Sequence, residues 1–280
     1  MSAPLIAATD APALAIAFWR TAAAAVVLAA ALLVTSTLTT RELPRRSRIS
    51  GRDWWLSALA GVCLAGHFGA WIPSLGLTTV AASTALVCTQ PVWTAVLSRF
   101  CGIRVPAGVW AGAVLALTGV ALLGGGDVQA SGDALLGDAL ALAGGIFGAG
   151  YFVLGERVRA TVDTHRYNLI AFTAAAGVLG IAVAASATPL TGFSITTWVM
   201  IAAIITCGQL LGHALLNQAL KTVDATTVST VALLEVPAAT ALAALFLQQH
   251  PHPSVLFSAL LAAVGIALVV RYRADQPSVE

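Results

Sequence analysis

Several ionisable and polar residues fall inside long apolar stretches, where such groups are costly and call for an explanation. His213 has Gln209 four residues before it and Asn217 four after it. That spacing stacks the three on one face of a helix, with Thr206 a turn further up. Lipid offers nothing to the donors of such a stripe, so it faces either a water-filled cavity or a hydrogen-bonded seam against another helix. His67, Trp71 and Ser74 mark a second face of this kind, less polar and with an aromatic wall. Glu235 lies about 16 Å along a span that starts near Ala225, at 1.5 Å per residue. A carboxyl there either moves protons or stays in place as a packed, protonated or arginine-paired group. Arg20, about 12 Å beyond Pro12 on the same reckoning, faces the bundle interior or snorkels. It suits two roles: counter-ion to an anionic substrate group, or partner to backbone carbonyls or a carboxylate at a helix crossing. Pro91 and Pro237 each fall near the middle of a span, where the missing N–H and the ring clash kink a helix and free a carbonyl one turn back. Gln90, Trp93 and Thr94 surround one bend, and Glu235 and Thr240 the other. Gly144, Gly145, Gly148 and Gly150, beside Tyr151, allow close helix approach or local unwinding.

The elements that must position these residues are membrane spans. Apolar runs between turn signals give nine of them, at 13–37, 54–75, 79–100, 106–124, 135–156, 167–187, 196–220, 225–247 and 254–270. Of the 14 Lys and Arg residues, all but Arg20 follow odd-numbered spans. They are Arg41, Arg45, Arg46, Arg48 and Arg52; Arg99 and Arg104; Arg157, Arg159 and Arg166; Lys221; and Arg271 and Arg273. The connections around 76–78, 127–133, 189–191 and 250–253 carry none. The positive-inside rule puts the basic loops and the C-terminus in the cytoplasm. Composition agrees: 59% hydrophobic and 9% charged residues leave too little charge to coat a soluble globule of this size, and the mean hydropathy is +0.90. Trp54, Trp55, Trp198 and Tyr272 sit at span ends as interfacial anchors. The arginines are topology markers, so nucleic acid is not an expected partner. The lipid bilayer is, and Gly108 and Gly112 offer a GxxxG contact for a homodimer. The four cysteines match no zinc or redox spacing.

The chain also repeats itself. Gly66-His67 returns as Gly212-His213 and Pro91 as Pro237, at one offset of 146 residues (213 − 67). The same offset pairs Ser83-Thr84 with Ser229-Thr230 and Thr94-Ala95 with Thr240-Ala241. Equivalent residues lie an odd number of spans apart, so the copies cross the membrane in opposite directions. Such an inverted repeat brings a site near the midplane between the copies. The fold expected is an all-α polytopic membrane protein, an inverted-repeat bundle of nine full transmembrane helices plus an N-terminal stub of a tenth. The first repeat covers 1–124, with its opening helix reduced to the stub Ser2–Ala8, and the second covers 135–273.

Gly66–Pro91 (GHFGAWIPSLGLTTVAASTALVCTQP) resembles the third and fourth helices of drug/metabolite transporter superfamily permeases of the EamA type. Gly212–Pro237 (GHALLNQALKTVDATTVSTVALLEVP) resembles their eighth and ninth helices, and the opening APALAIAFWRTAAAA their second. The resemblance covers nearly the whole chain. It departs at the N-terminus, where the family has a full first helix, and after each mid-span proline, where many members carry Gly-Glu. It implies a secondary transporter in the cell (inner) membrane, probing amino acids, other metabolites or drugs as substrates, with export as the direction. His67, Trp71, Gln90, Trp93, Tyr151, Gln209, His213 and Asn217 are then the candidate substrate-binding residues. Arg20 and Glu235 are candidates for coupling or charge pairing, with protons as the candidate coupling ion.

Enzyme readings find little to stand on. HExxH, Gly-x-Ser-x-Gly and a nucleotide-binding glycine loop are all missing, so no cofactor is expected and transport is not driven by ATP through this chain. An intramembrane metal enzyme would need His67, His213 and Glu235 to converge on one ion. A further alternative is a membrane subunit, or a truncated permease, that does not itself transport.

Overall fold

Five helices begin at a small polar residue that caps them. The side-chain oxygens of Ser50, Thr79, Asp163, Ser194 and Asp224 accept from the backbone N–H three residues on, at Asp53, Ala82, Arg166, Thr197 and Thr227. This satisfies donors that a helix N-terminus leaves open. The computed structural model describes residues 2–38, 49–123, 132–234 and 253–274. In chain order the elements are α1 (Ser2–Ala7), α2 (Ala13–Leu38), α3 (Gly51–Ser74), α4 (Val80–Val87), α5 (Gln90–Phe100) and α6 (Ala107–Leu123). They continue with α7 (Gly132–Arg159), α8 (Thr164–Ala185), α9 (Ile195–Ala203), a π-helical stretch (Ile204–His213), α10 (Ala214–Ala219), α11 (Ala225–Ala232) and α12 (Pro253–Ala274). Among the described residues there is no strand. The protein is an all-α polytopic bundle. Glu235, Pro237, Thr240, Arg41, Arg45, Arg46, Arg48 and the connection 124–131 lie outside the described residues.

Five described helices are long and apolar enough to cross a membrane: Ala13–Val34, Gly51–Ser74, Gly132–Arg159, Thr164–Ala185 and Ile195–Ala219. Half of the apolar window of α3 and of α7 is buried inside the protein, against a third for α2 and α8. The pair α3 and α7 is therefore the axis of the bundle. The α8 helix and α2 pack on α3, while α4 and α5 pack on α7. Glycines set these distances. A Cβ on Gly61 would fall 2.3 Å from the Ala171 carbonyl oxygen, so α3 and α8 meet backbone to backbone. Elsewhere α6 crosses α12 through Gly112 and Gly265, where a Cβ on Gly265 would fall 2.3 Å from the Ala116 nitrogen. Gly108 lies under the Tyr272 ring in the same contact. Both glycines of the GxxxG motif thus serve packing within the chain.

Contacts between helix ends show which ends share a side. Trp19 Nε1 donates to the Leu190 carbonyl (2.9 Å), joining the start of α2 to the α8–α9 connection. Thr161 Oγ1 donates to Asp53 Oδ2 (3.1 Å), joining the end of α7 to the start of α3. The α1 helix packs against α4, α9 and the π-helical stretch.

Three local readings need correction. The span 79–100 is not one kinked helix: it breaks at Cys88-Thr89, and Pro91 stands in the first turn of α5. There its missing N–H interrupts no bond, which is why proline suits that place. The span 196–220 is continuous but π-helical in its middle. Its wider i→i+5 turn moves Thr206 off the Gln209 face, and Thr206 is exposed. Arg159, counted from the sequence with the basic connection, is the last residue of α7. It is 2% exposed, and its stem and head are folded back among α7, α8 and α10.

Candidate functional site

Both histidines of the repeated Gly-His pair reach the same place. Their ring centroids are 6.5 Å apart, His67 coming from α3 and His213 from the end of the π-helical stretch. His67 Nδ1 lies 2.8 Å from the Gly144 carbonyl. A carbonyl only accepts, so the proton is on Nδ1. The glycines of α7 make this approach possible: a Cβ on Gly144 would fall 3.2 Å from the His67 carbonyl oxygen, and one on Gly148 2.9 Å from His67 Nδ1. Gly148 also admits Gln90, whose Nε2 occupies the space a Cβ would take. Trp71 stacks on His67 at 5.7 Å between centroids. Tyr151 meets the edge of His213 at 5.8 Å, and Phe68 meets it at 5.4 Å.

Arg20 closes the cluster from α2. Its Nε donates to Gln209 Oε1 (3.1 Å), and its guanidinium carbon sits 3.7 Å over the Phe68 ring. Arg20 is 1% exposed. Among the described residues its partners are an amide and an aromatic face; the carboxylate weighed from the sequence, Glu235, lies outside them. The structure thereby brings together Arg20, His67, Trp71, Gln90, Tyr151, Gln209 and His213. Phe68 was missed because a phenylalanine in an apolar span carries no signal of its own.

Asn217 joins this cluster only at its edge, through Tyr151, and Trp93 stands apart from it. Asn217 is fully buried, with Nδ2 donating to Tyr151 OH and to Asn168 Oδ1 (2.6 Å). Its backbone carbonyl accepts from Arg159 Nε (3.0 Å). Arg159 also donates to the Val162 carbonyl and to Thr164 Oγ1, which in turn donates to Gln218. This polar knot ties α7, α8 and α10 together at the end of the bundle opposite Trp19. Asn168 and Arg159 belong to it; an amide just inside a predicted span was the signal available for the first. Trp93 turns back on its own helix, donating from Nε1 to Thr89 Oγ1 (3.1 Å). A separate cavity of about 320 Å³, lined by Ser50, Asp53, Thr161 and Arg166 among others, opens at the ends of α3, α7 and α8, away from the histidines. Among the described residues no three His, Cys, Asp or Glu side chains converge as a metal site would need.

An EamA-like transporter family model matches the chain twice, over residues 4–125 and 135–271. The chain belongs to the EamA-like transporter family. No curated protein sequence matches it. Among solved structures, one crystal structure of a protein with 19% sequence identity superposes with a TM-score of 0.74 over 98% of this chain and 92% of that one. At that identity the likeness is one of fold alone.

Proposed function

We propose that this membrane transporter is a secondary, ATP-independent permease for a small metabolite, amino acid-like compound or drug, working by alternating access between its two repeats. One observation carries the reading. Polar side chains from both matched stretches, buried Arg20 and His67 with half-buried Gln90 from the first and buried Gln209 with half-buried His213 from the second, meet in one cluster between helices. Bundles of this kind hold substrate between repeats and rock around it. Export is the direction that family resemblance favours. The basic loops argue for an inner-membrane protein with a cytoplasmic C-terminus.

Glu235 is the proposed proton carrier. Reconstitution into proteoliposomes tests both points. Gradient-driven flux of a substrate is expected in the parent protein, and Glu235→Gln should abolish accumulation while leaving downhill exchange. Full gradient-driven transport by Glu235→Gln would exclude that carboxyl as the coupling group. Orientation is read by labelling single cysteines from outside in a cysteine-free background. A cysteine at Ser131 should label and one at Ser47 should not.

A further inference from the structure

Among the described residues two arginines are buried, Arg20 and Arg159, and of these Arg159 has its donors matched. Arg159 directs Nε, Nη1 and Nη2 to the Asn217 carbonyl, the Val162 carbonyl and Thr164 Oγ1. Arg20, equally buried, uses Nε on Gln209, and its Nη1 has no partner among the described residues. Among the described residues of the cluster three more donor-capable atoms are also buried and unpartnered, Gln209 Nε2, His213 Nδ1 and Trp71 Nε1. Gln209 touches Arg20 directly, and His213 follows it by four residues and shares the Phe68 ring with the guanidinium. Buried donors without acceptors have lost water and gained nothing in return, and the cost is greater for a charged group. A guanidinium beside an amide and an imidazole matches the oxygens of a carboxylate, which accepts several hydrogen bonds at once and neutralises the charge. Aromatic faces of Phe68, Trp71 and Tyr151 border the same place, and they suit an apolar body attached to that carboxylate.

We infer that Arg20 Nη1, Gln209 Nε2 and His213 Nδ1 form the pole of the site that holds the carboxylate of an organic-acid substrate, with the aromatic rings beside its apolar part. This deepens the permease reading and rests on it. His213 serves as the Nδ1–H tautomer, which the bound carboxylate itself selects.

The test uses purified full-length protein in detergent, with thermal unfolding and tryptophan fluorescence as readouts. The probes are benzoate, phenylacetate and L-phenylalanine, their uncharged counterparts benzamide and benzyl alcohol, and sodium chloride at equal ionic strength. At least one carboxylate should bind saturably, its uncharged counterpart at least tenfold more weakly, and chloride should not compete. Arg20→Gln should weaken that binding at least tenfold while leaving the unliganded protein as heat-stable as the parent or more so, because it removes an unmatched buried charge. An arginine with a purely structural role would instead lower unliganded stability. Gln209→Leu is the second variant, should Arg20→Gln not fold, and should weaken the carboxylate at least fivefold.

Equal binding of benzoate and benzamide, competition by chloride, or carboxylate affinity unchanged in both variants would each overturn the carboxylate site. Flux in proteoliposomes separates this from the permease reading. Carboxylate binding without flux of any probe would sink the permease and leave the site. Flux of a neutral or cationic solute, indifferent to Arg20→Gln, would sink the site and leave the permease.

Discussion

The helix that carries His67 and the helix that carries His213 begin from matching sequence and end in different structures. Around His67, α3 is regular, buried along half its apolar window, and pressed against the glycines of α7. Its imidazole is fixed by the Gly144 carbonyl. Around His213 the helix is π-wound, only 17% of its apolar window is buried, and the imidazole Nδ1 has no partner among the described residues. The difference assigns unequal work to two copies of one motif. The first copy builds a wall, and the second presents groups whose bonding is still open.

The largest effect is expected where the looser helix is anchored. Arg159→Leu leaves the Asn217 and Val162 carbonyls without their buried donor, and at about 1–3 kcal/mol for each such group the loss should be about 2–6 kcal/mol. Thermal or denaturant unfolding in detergent measures it. A loss below about 0.5 kcal/mol, the ordinary range of a surface change, would mean that the knot holds nothing.

The repeat supplies a matched pair of glycines for the next test. A Cβ on Gly66 would fall 2.8–3.0 Å from the Phe147 ring, whereas one on Gly212 meets only the Cys207 carbonyl oxygen at 3.2 Å. Overpacking costs about 1–3 kcal/mol, so Gly66→Ala should lower stability by roughly the lower half of that range, since Phe147 is partly exposed and can shift. Gly212→Ala should be neutral or gain up to about 0.5–1 kcal/mol from helix propensity. Equal losses at the two positions would erase the distinction between wall and open helix.

The histidines themselves give the smallest change. His67→Leu removes a hydrogen bond worth about 0.5–1.5 kcal/mol net. His213→Leu removes no bond that its Nδ1 makes in the unliganded protein and should leave stability within about 0.5 kcal/mol. Its cost should appear in ligand affinity instead. The reverse order in unfolding experiments would swap the two roles.

Much of this was legible in the sequence because lipid imposes simple rules. Apolar runs, the placement of basic residues and the Gly-His repeat lead to an all-α bundle and bring His67 and His213 into one argument before any contact is seen. Gln209 and Arg20 stood out for a related reason, since a polar group inside an apolar run is conspicuous. The π-helical stretch left no such trace. Ile204–His213 holds no proline, and its two glycines, Gly208 and Gly212, do not distinguish a π turn from an α turn, so an α spacing counted Thr206 into the stripe. Arg159 was misread because counting charges near span ends registers sidedness and says nothing about burial. Pro91 was recognised as a disruption, but whether a proline bends one helix or begins another depends on the break before it, here at Cys88-Thr89.

A π turn is an α-helix holding slack, and slack can travel. Passing the wide turn along Ile204–His213 would swivel one side chain after another through a large angle, in the way a ruck crosses a carpet without the carpet's edges moving. The ends of this span are held, at Ser194 by its cap and at Asn217 by Arg159. Gln209 and His213 lie between those fixed points. The groups that face the site could therefore turn toward one membrane surface or the other while the span as a whole stays docked.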